Sequence, residues 1–133
     1  MSTPDRPCPC GLPATYATCC GRFHSGARAA PTAELLMRSR FSAFAVGDTA
    51  YLLRSWHSTT RPARLDLDPG QCWERLEILA TERGGMFETR GSVEFRAHYR
   101  EGGHTGSLRE HSDFAREGGA WVYVGPLSPV EFD

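Results

Sequence analysis

Residues 93–114 read VEFRAHYREGGHTGSLREHSDF, and this stretch decides the fold class of the chain. Its first eight residues alternate between apolar and polar side chains, which is typical of a strand with one buried face. The apolar positions are Val93, Phe95, Ala97 and Tyr99. The Gly-Gly pair at 102–103 then suits a two-residue hairpin turn. The returning strand places four residues on the same face as Phe95: Leu108, Glu110, Ser112 and Phe114.

Further strands are predicted on both sides of this hairpin. The Gly-Gly pair at 118–119 forms a second turn into AWVYV, which adds Trp121 and Tyr123 to the same face. Upstream, residues 73–81 carry alternating apolar side chains, although their composition also favours helix. We predict a strand there. Together these segments indicate an antiparallel, curved sheet.

Two helices are predicted before the sheet. Thr32 follows a proline and suits a helix N-cap, and Gly47 is placed to end that helix. Asp48 then caps a second helix, whose apolar side includes Leu52, Leu53 and Trp56. Residues 58–70 contain two prolines and predict a loop. Two helices that cover one face of an antiparallel sheet make an α+β domain.

Four cysteines lie near the amino terminus in the segment CPCGLPATYATCC: Cys8, Cys10, Cys19 and Cys20. Thiolate sulfur is the preferred protein ligand for Zn²⁺, and a structural zinc site closes with four ligands. The segment around the cysteines is too small and polar to form a core of its own. We therefore expect bound Zn²⁺ to supply its folding free energy, about 10–16 kcal/mol in small zinc peptides.

Other roles for these thiols stay open. The segment before them has no apolar stretch or cleavage site, so we expect a cytoplasmic protein without stable disulfides. The spacing also differs from Cys-x-x-Cys redox sites and from the usual ferredoxin patterns. His24 lies four residues beyond Cys20 and is either a replacement ligand or a neighbour of the site. Cys72 is expected to be a small buried hydrophobe.

Composition narrows the functional classes. The chain has 133 residues, 40% of them hydrophobic, which is enough for one compact domain beside the metal-bound segment. It has no apolar run long enough to span a bilayer. Its net charge of −1 gives the chain no overall attraction to nucleic acid, so we expect no nucleic-acid partner outside a ribosomal context. The absence of lysine excludes Schiff-base catalysis and P-loop chemistry.

Longer segments carry a resemblance to known families. The CPCG and CCG pairs resemble the SEC-C zinc motif, best known from the C-terminal tail of the bacterial preprotein translocase ATPase. The segments PTAELLMRSRFSAFAVGDTAYLLRSWH, VEFRAHYR and LREHSDF are similar to the YchJ family, bacterial proteins without an established activity. This resemblance implies a SEC-C segment at residues 1–26 with the four cysteines as zinc ligands. It also implies a domain similar to nuclear transport factor two (NTF2) at residues 31–133, a cone with a pocket between helices and curved sheet.

A polar group on the apolar sheet face marks a candidate pocket. Glu110, with Ser112, lies among apolar side chains, and a buried carboxylate must find a partner or take up a proton. Arg40 on the first helix and His57 after the second helix, next to Trp56, are candidate partners. This constellation is suited to acid–base work, with Arg40 holding an anion. The alternative, which we favour, is a structural ion pair between Glu110 and Arg40 that fixes the helix to the sheet.

The opposite face of the sheet carries polar residues: Glu94, His98, Arg109 and His111. We expect this face to be solvated or to form a homodimer contact, and a second metal site is a less favoured alternative.

Two hypotheses about function follow. In the first, the protein is a zinc-containing adaptor whose metal segment docks on a protein or ribosomal partner, as the SEC-C tail of the translocase does. In the second, the pocket binds a small molecule, as a carrier or as an acid–base enzyme.

Overall fold

The computed structural model describes residues 5–133, and three helices precede the sheet in that range. They are α1 (Cys20–His24), α2 (Ala33–Val46) and α3 (Thr49–Arg54). Both predicted N-caps are confirmed. The Thr32 side chain accepts a hydrogen bond from the backbone N–H of Leu35 at 3.2 Å, and Asp48 accepts one from Tyr51 at 3.0 Å. Gly47 ends α2 in the left-handed conformation with φ of 81°.

The strands form one antiparallel sheet. They are β1 (Gln71–Arg83), β2 (Arg90–Glu101), β3 (His104–Glu117), β4 (Ala120–Pro126) and β5 (Glu131–Phe132). The strand order is β1–β2–β3–β4, and the short β5 pairs with β3. Both predicted Gly-Gly turns are present, with positive φ at all four glycines. The hairpin register sets Phe95 directly opposite Glu110.

Irregular pairing accompanies the curvature of the sheet. Register shifts interrupt β1 in two places and β3 between Asp113 and Phe114, and such bulges bend and twist a strand. Helix α2 packs against β1, β2 and β4. The main core lies between this helix and the sheet and contains, among others, Leu36, Phe41, Leu52, Val93, Phe95 and Phe114. The observed architecture is therefore the predicted α+β cone.

The head, defined here as residues 5–26, packs on α2 and α3 through polar contacts. The Arg38 guanidinium donates to the carbonyl of Cys10 at 2.8 Å, and Arg54 donates to the carbonyl of His24 at 2.6 Å. Residues 1–4 of the predicted zinc segment lie outside the described residues. The boundaries at 26 and 31 stay a prediction. No helix within residues 5–133 is long and apolar enough to cross a membrane.

The expectation for Cys72 is wrong. Its side chain is exposed, although the neighbouring Trp73 is half-buried and packs on the core. Successive side chains of a strand point to opposite faces, so Cys72 takes the outer face of β1.

Candidate functional site

The four cysteines near the amino terminus come together in one buried cluster. Cys8 and Cys10 lie on a tight turn, in which the backbone N–H of Gly11 donates to the carbonyl of Cys8 at 3.2 Å. Cys19 is the N-cap residue of α1 and Cys20 is its first residue. The cysteines are between 0% and 5% exposed. All four sulfur atoms lie within 4.8 Å of one another, and those of Cys10 and Cys19 are 3.6 Å apart.

This cluster fits a tetrahedral metal ion. A Zn–S bond of about 2.3 Å requires sulfur atoms about 3.8 Å apart at the corners of a tetrahedron. The observed spacing brackets that value, so the four sulfur atoms need only small movements to surround one ion. Four thiol donors are a set that favours zinc among the common divalent ions. The cluster could therefore hold a metal ion.

The thiols of the cluster hold their protons unequally. Hydrogen bonds from Cys10 and Cys20 lower the pKa of Cys8, because they stabilise its thiolate. Burial raises the pKa of Cys19 to about 12. Hydrogen bonds to Cys10 and Cys8 raise the pKa of Cys20. A metal cation bound between the four sulfur atoms would displace the remaining thiol protons, since metal ligation requires thiolates.

His24 is not part of the sulfur cluster. Its Nδ1 is 2.6 Å from the hydroxyl oxygen of Tyr16, and its Nε2 is 2.8 Å from the carbonyl oxygen of Ser39. Both ring nitrogens are therefore engaged. The contacts fix the ring between the head and α2, so His24 is a neighbour of the site rather than a replacement ligand.

A second site lies inside the cone, between α2 and the sheet. It is a cavity of about 240 Å³ with mainly apolar walls. The lining includes Met37, Phe41, Phe44, Trp56, Trp73, Phe95, Ala97 and Leu108. Three polar side chains also line it, namely Arg40, Glu110 and Tyr123.

Arg40 is a buried cation at the wall of this cavity. It is only 3% exposed, and burial lowers its pKa to about 10. Its Nη1 donates to the carbonyl of Leu52 and to the hydroxyl of Ser55, both at 2.8 Å. The guanidinium also lies over the rings of Trp56 and Tyr123, at 4.9 Å and 4.6 Å from their centroids. These contacts stabilise the charge without neutralising it.

Glu110 is held by two hydroxyl groups. Its Oε2 accepts hydrogen bonds from Ser112 at 2.5 Å and from Tyr123 at 2.6 Å. Burial, followed by the charge of Glu110, raises the pKa of Tyr123, so this phenol keeps its proton and remains a donor.

The comparisons with known proteins agree with this arrangement. A family model described as the middle NTF2-like domain of YchJ matches residues 32–126. The chain belongs to the YchJ family. The resemblance seen in the sequence is thus confirmed. This YchJ-family chain is 62% identical over 121 residues to a UPF0225 protein of Streptomyces coelicolor, covering 91% of this chain and 94% of the relative. It is 54% identical over 116 residues to a UPF0225 protein of Corynebacterium glutamicum, covering 87% and 92%.

Solved structures show the same fold. A SEC-C motif containing protein from Rhodopseudomonas palustris matches with a TM-score of 0.77 and 33% identity, over 93% of this chain and 96% of that chain. A SEC-C motif containing protein from Psychrobacter arcticus matches with a TM-score of 0.77 and 24% identity, over 96% and 85%. The second likeness concerns the fold alone.

The structure places the predicted pocket residues of this YchJ-family chain in different surroundings. Arg40, Trp56 and Glu110 line the cavity, and Ser112 lies fully buried behind Glu110. The inclusion of His57 is a wrong prediction. After α3 the chain turns outward, and the His57 ring lies 2.7 Å from the Thr59 hydroxyl and 3.7 Å from the Glu117 carboxylate, away from the cavity lining.

The expected ion pair between Glu110 and Arg40 is not formed. Among the described residues, Arg40 bonds to a carbonyl and a hydroxyl, and Glu110 bonds to two hydroxyls. The carboxylate acts on the guanidinium only through space. Tyr123 contacts both side chains and was not among the site residues predicted from the sequence. The sequence signal that could have identified Tyr123 is its predicted position on the same sheet face as Glu110.

The opposite sheet face of this YchJ-family chain forms ion pairs. Arg109 binds Glu94 at 2.6 Å, and His98 is 2.5 Å from the carboxylate of Glu77. Within the described residues, no metal-binding group besides the four cysteines combines three or more ligand side chains. The homodimer contact on this face stays a prediction.

Proposed function

We propose that the protein is a zinc-containing binding protein whose head docks on a protein or ribosomal partner. The observation that carries the proposal is the burial of all four cysteines at mutual distances suited to one ion. Four protein thiolates leave no open coordination position for water or substrate. The Zn²⁺ would therefore be structural, and its role would be to give the head a fixed surface.

The docking role is supported by the resemblance of the head to the SEC-C tail of the translocase, which is a docking element. The likeness of the whole chain to the SEC-C motif containing protein from Rhodopseudomonas palustris also supports the assignment of the motif. The head has exposed residues on the outside of the cysteine cluster, including Pro13, Ala14, Ala17 and Thr18. Zinc would fix the positions of these residues and thereby preorganise the surface for a partner.

The test compares three forms of the full chain by metal analysis and pull-down from a bacterial lysate that contains ribosomes. Wild-type protein should carry about one zinc ion per chain and recover a defined set of proteins or ribosomal particles. Cys19→Ser should lose both the zinc and the partners. Cys72→Ser is the matched control because Cys72 is exposed and outside the cluster, so it should behave as wild type. Recovery of the same partners by Cys19→Ser would count against docking through the head.

A second function is favoured by the cavity in the cone, where a buried cation and a carboxylate line a hollow with aromatic walls. We propose that this cavity binds a small molecule. Binding is better supported than acid–base catalysis, because His57 lies outside and the Glu110 carboxylate is already bound by Ser112 and Tyr123. Toluene is a suitable first probe. It should shift the NMR signals of Trp56 and Trp73, and Ala97→Leu, which narrows the cavity, should reduce the shifts at a given toluene concentration.

A further inference from the structure

The polar groups of the cone cavity restrict the chemistry of what it can bind. Among the described residues, only Nη1 of the three Arg40 guanidinium nitrogens has a hydrogen-bond partner. Nε and Nη2 belong to a side chain that is 3% exposed and lines the cavity. Because these two nitrogens are not among the fully buried, unpartnered atoms of the described residues, they border open space, and an acceptor atom of a ligand at this end of the cavity can take a charge-assisted hydrogen bond from them.

Glu110 supplies the complementary acceptor. Its Oε2 is used by Ser112 and Tyr123, while Oε1 has no partner among the described residues. A cationic side chain and a carboxylate side chain thus balance each other within the cavity, and the Tyr123 side chain, which contacts both Arg40 and Glu110, shows that they lie at the same end.

This balance decides the charge of the ligand. An anion would satisfy Arg40 but would leave the cavity with a net negative charge beside Glu110. A cation would satisfy Glu110 but would leave the cavity with a net positive charge beside Arg40. Charges of this kind are costly in an apolar, buried site. A neutral group with an acceptor next to a donor satisfies both side chains at once.

The walls and the volume set the size. Aromatic rings dominate the lining, and flat rings pack well against them. An apolar cavity of about 150 Å³ accommodates benzene. The cavity of about 240 Å³ is therefore suited to a single ring with a short substituent.

We propose that the cone cavity binds a neutral single-ring aromatic compound with adjacent hydrogen-bond acceptor and donor groups, as in a carboxamide. The acceptor takes a hydrogen bond from Arg40, and the donor gives one to Glu110. This inference rests on the second function proposed above.

The experiment uses three probes of nearly equal shape with the full-length, zinc-loaded protein. Benzamide is neutral, benzoate is anionic and benzamidinium is cationic. Binding is measured by the shifts of the indole N–H signals of Trp56 and Trp73. Trp121 is an internal control, because it lies outside the cavity lining and its Nε1 donates to the carbonyl of Pro31. Benzamide should bind at least about tenfold more tightly than either charged probe.

Glu110→Gln tests the charge balance directly, and its thermal melt verifies that the variant is folded. Removal of the carboxylate leaves Arg40 as the charged group of the cavity, so benzoate should bind about tenfold more tightly than it does to wild type. Preference of the wild type for benzoate or benzamidinium would overturn the proposed ligand class, while the small-molecule function would stand. Equal affinity for toluene and benzamide would also overturn the proposed ligand class, since the polar groups would then contribute nothing to binding. If none of these probes, toluene included, shifts Trp56 or Trp73, both proposals fail.

Discussion

Two alanines of similar burial should respond in opposite ways to substitution by leucine, because only one of them faces the cone cavity. Ala97 on β2 is 3% exposed and lines the cavity. Ala43 on α2 is fully buried and is not part of the lining. The three carbon atoms that leucine adds would enter free space at position 97 and a packed interior at position 43.

The expected magnitudes follow from burial and packing. Each buried methylene stabilises by about 0.8 kcal/mol, so leucine at position 97 gains about 2.4 kcal/mol. The loss of leucine rotamers costs about 0.5–1 kcal/mol. Ala97→Leu should therefore raise the free energy of unfolding by about 1.5 kcal/mol. Ala43→Leu should lower it by about 1–3 kcal/mol, since added atoms in a packed core force strain.

Denaturant and thermal unfolding at saturating zinc measure both variants. A stabilisation of this size corresponds to a rise in Tm of about 5 °C for a chain of this length. The m-value should stay unchanged, which shows that the exposed surface on unfolding is the same. If Ala97→Leu is destabilised as strongly as Ala43→Leu with an unchanged m-value, the space beside Glu110 is not a cavity. The ligand proposals would then lose their basis.

Four other outcomes are expected. Chelation of the metal should unfold the head but leave most of the far-ultraviolet dichroism, because the thiols form a cluster apart from the main core; complete loss of the signal would contradict this. Acid should release zinc, since protons compete for the thiolates, and a chromogenic zinc indicator would follow the release; retention at low pH would argue against thiolate ligation. Thr32→Ala should cost about 1 kcal/mol in denaturant unfolding because it removes the cap of α2, with Thr49→Ala outside that cap as the control. Alkaline titration followed by phenolate absorbance should show delayed ionisation of Tyr16, Tyr51 and Tyr123, because burial is the main cause that raises their pKa values. The free energy of unfolding should fall above pH of about 10, because the folded chain keeps phenol protons that the unfolded chain loses. Ionisation of all three at the ordinary pH of tyrosine would show that these rings are exposed.

Local patterns predicted the elements of this fold well. The alternation around Phe95 and the two Gly-Gly pairs specify strands and turns through interactions between near neighbours, and the caps Thr32 and Asp48 do the same for the helices. The short strand β5 was missed because its two residues carry no periodicity and pair with β3 from a distance in the chain. The cysteine cluster was predictable, since ligand type and spacing are visible in the sequence.

The cavity could be predicted only in part. Period-two alternation assigned Glu110 to the correct face, but which partner a buried carboxylate takes depends on distances between separate elements. The choice of Arg40 as a direct partner failed because Tyr123 and Ser112 reach Glu110 first. His57 failed because a turn after α3, which no residue pattern announced, directs its ring to Glu117.

Helix α2 joins the two sites of the molecule. One of its faces carries Ser39 and Ser42, which contact His24 and Cys8 of the head. The opposite face carries cavity-lining residues, namely Met37, Arg40, Phe41 and Phe44. The head and the cone cavity therefore share α2 as a common wall, with the cysteine cluster on one side of the helix and the cavity on the other. Because the cysteines form a cluster apart from the main core, the cavity wall should persist when the head unfolds on chelation.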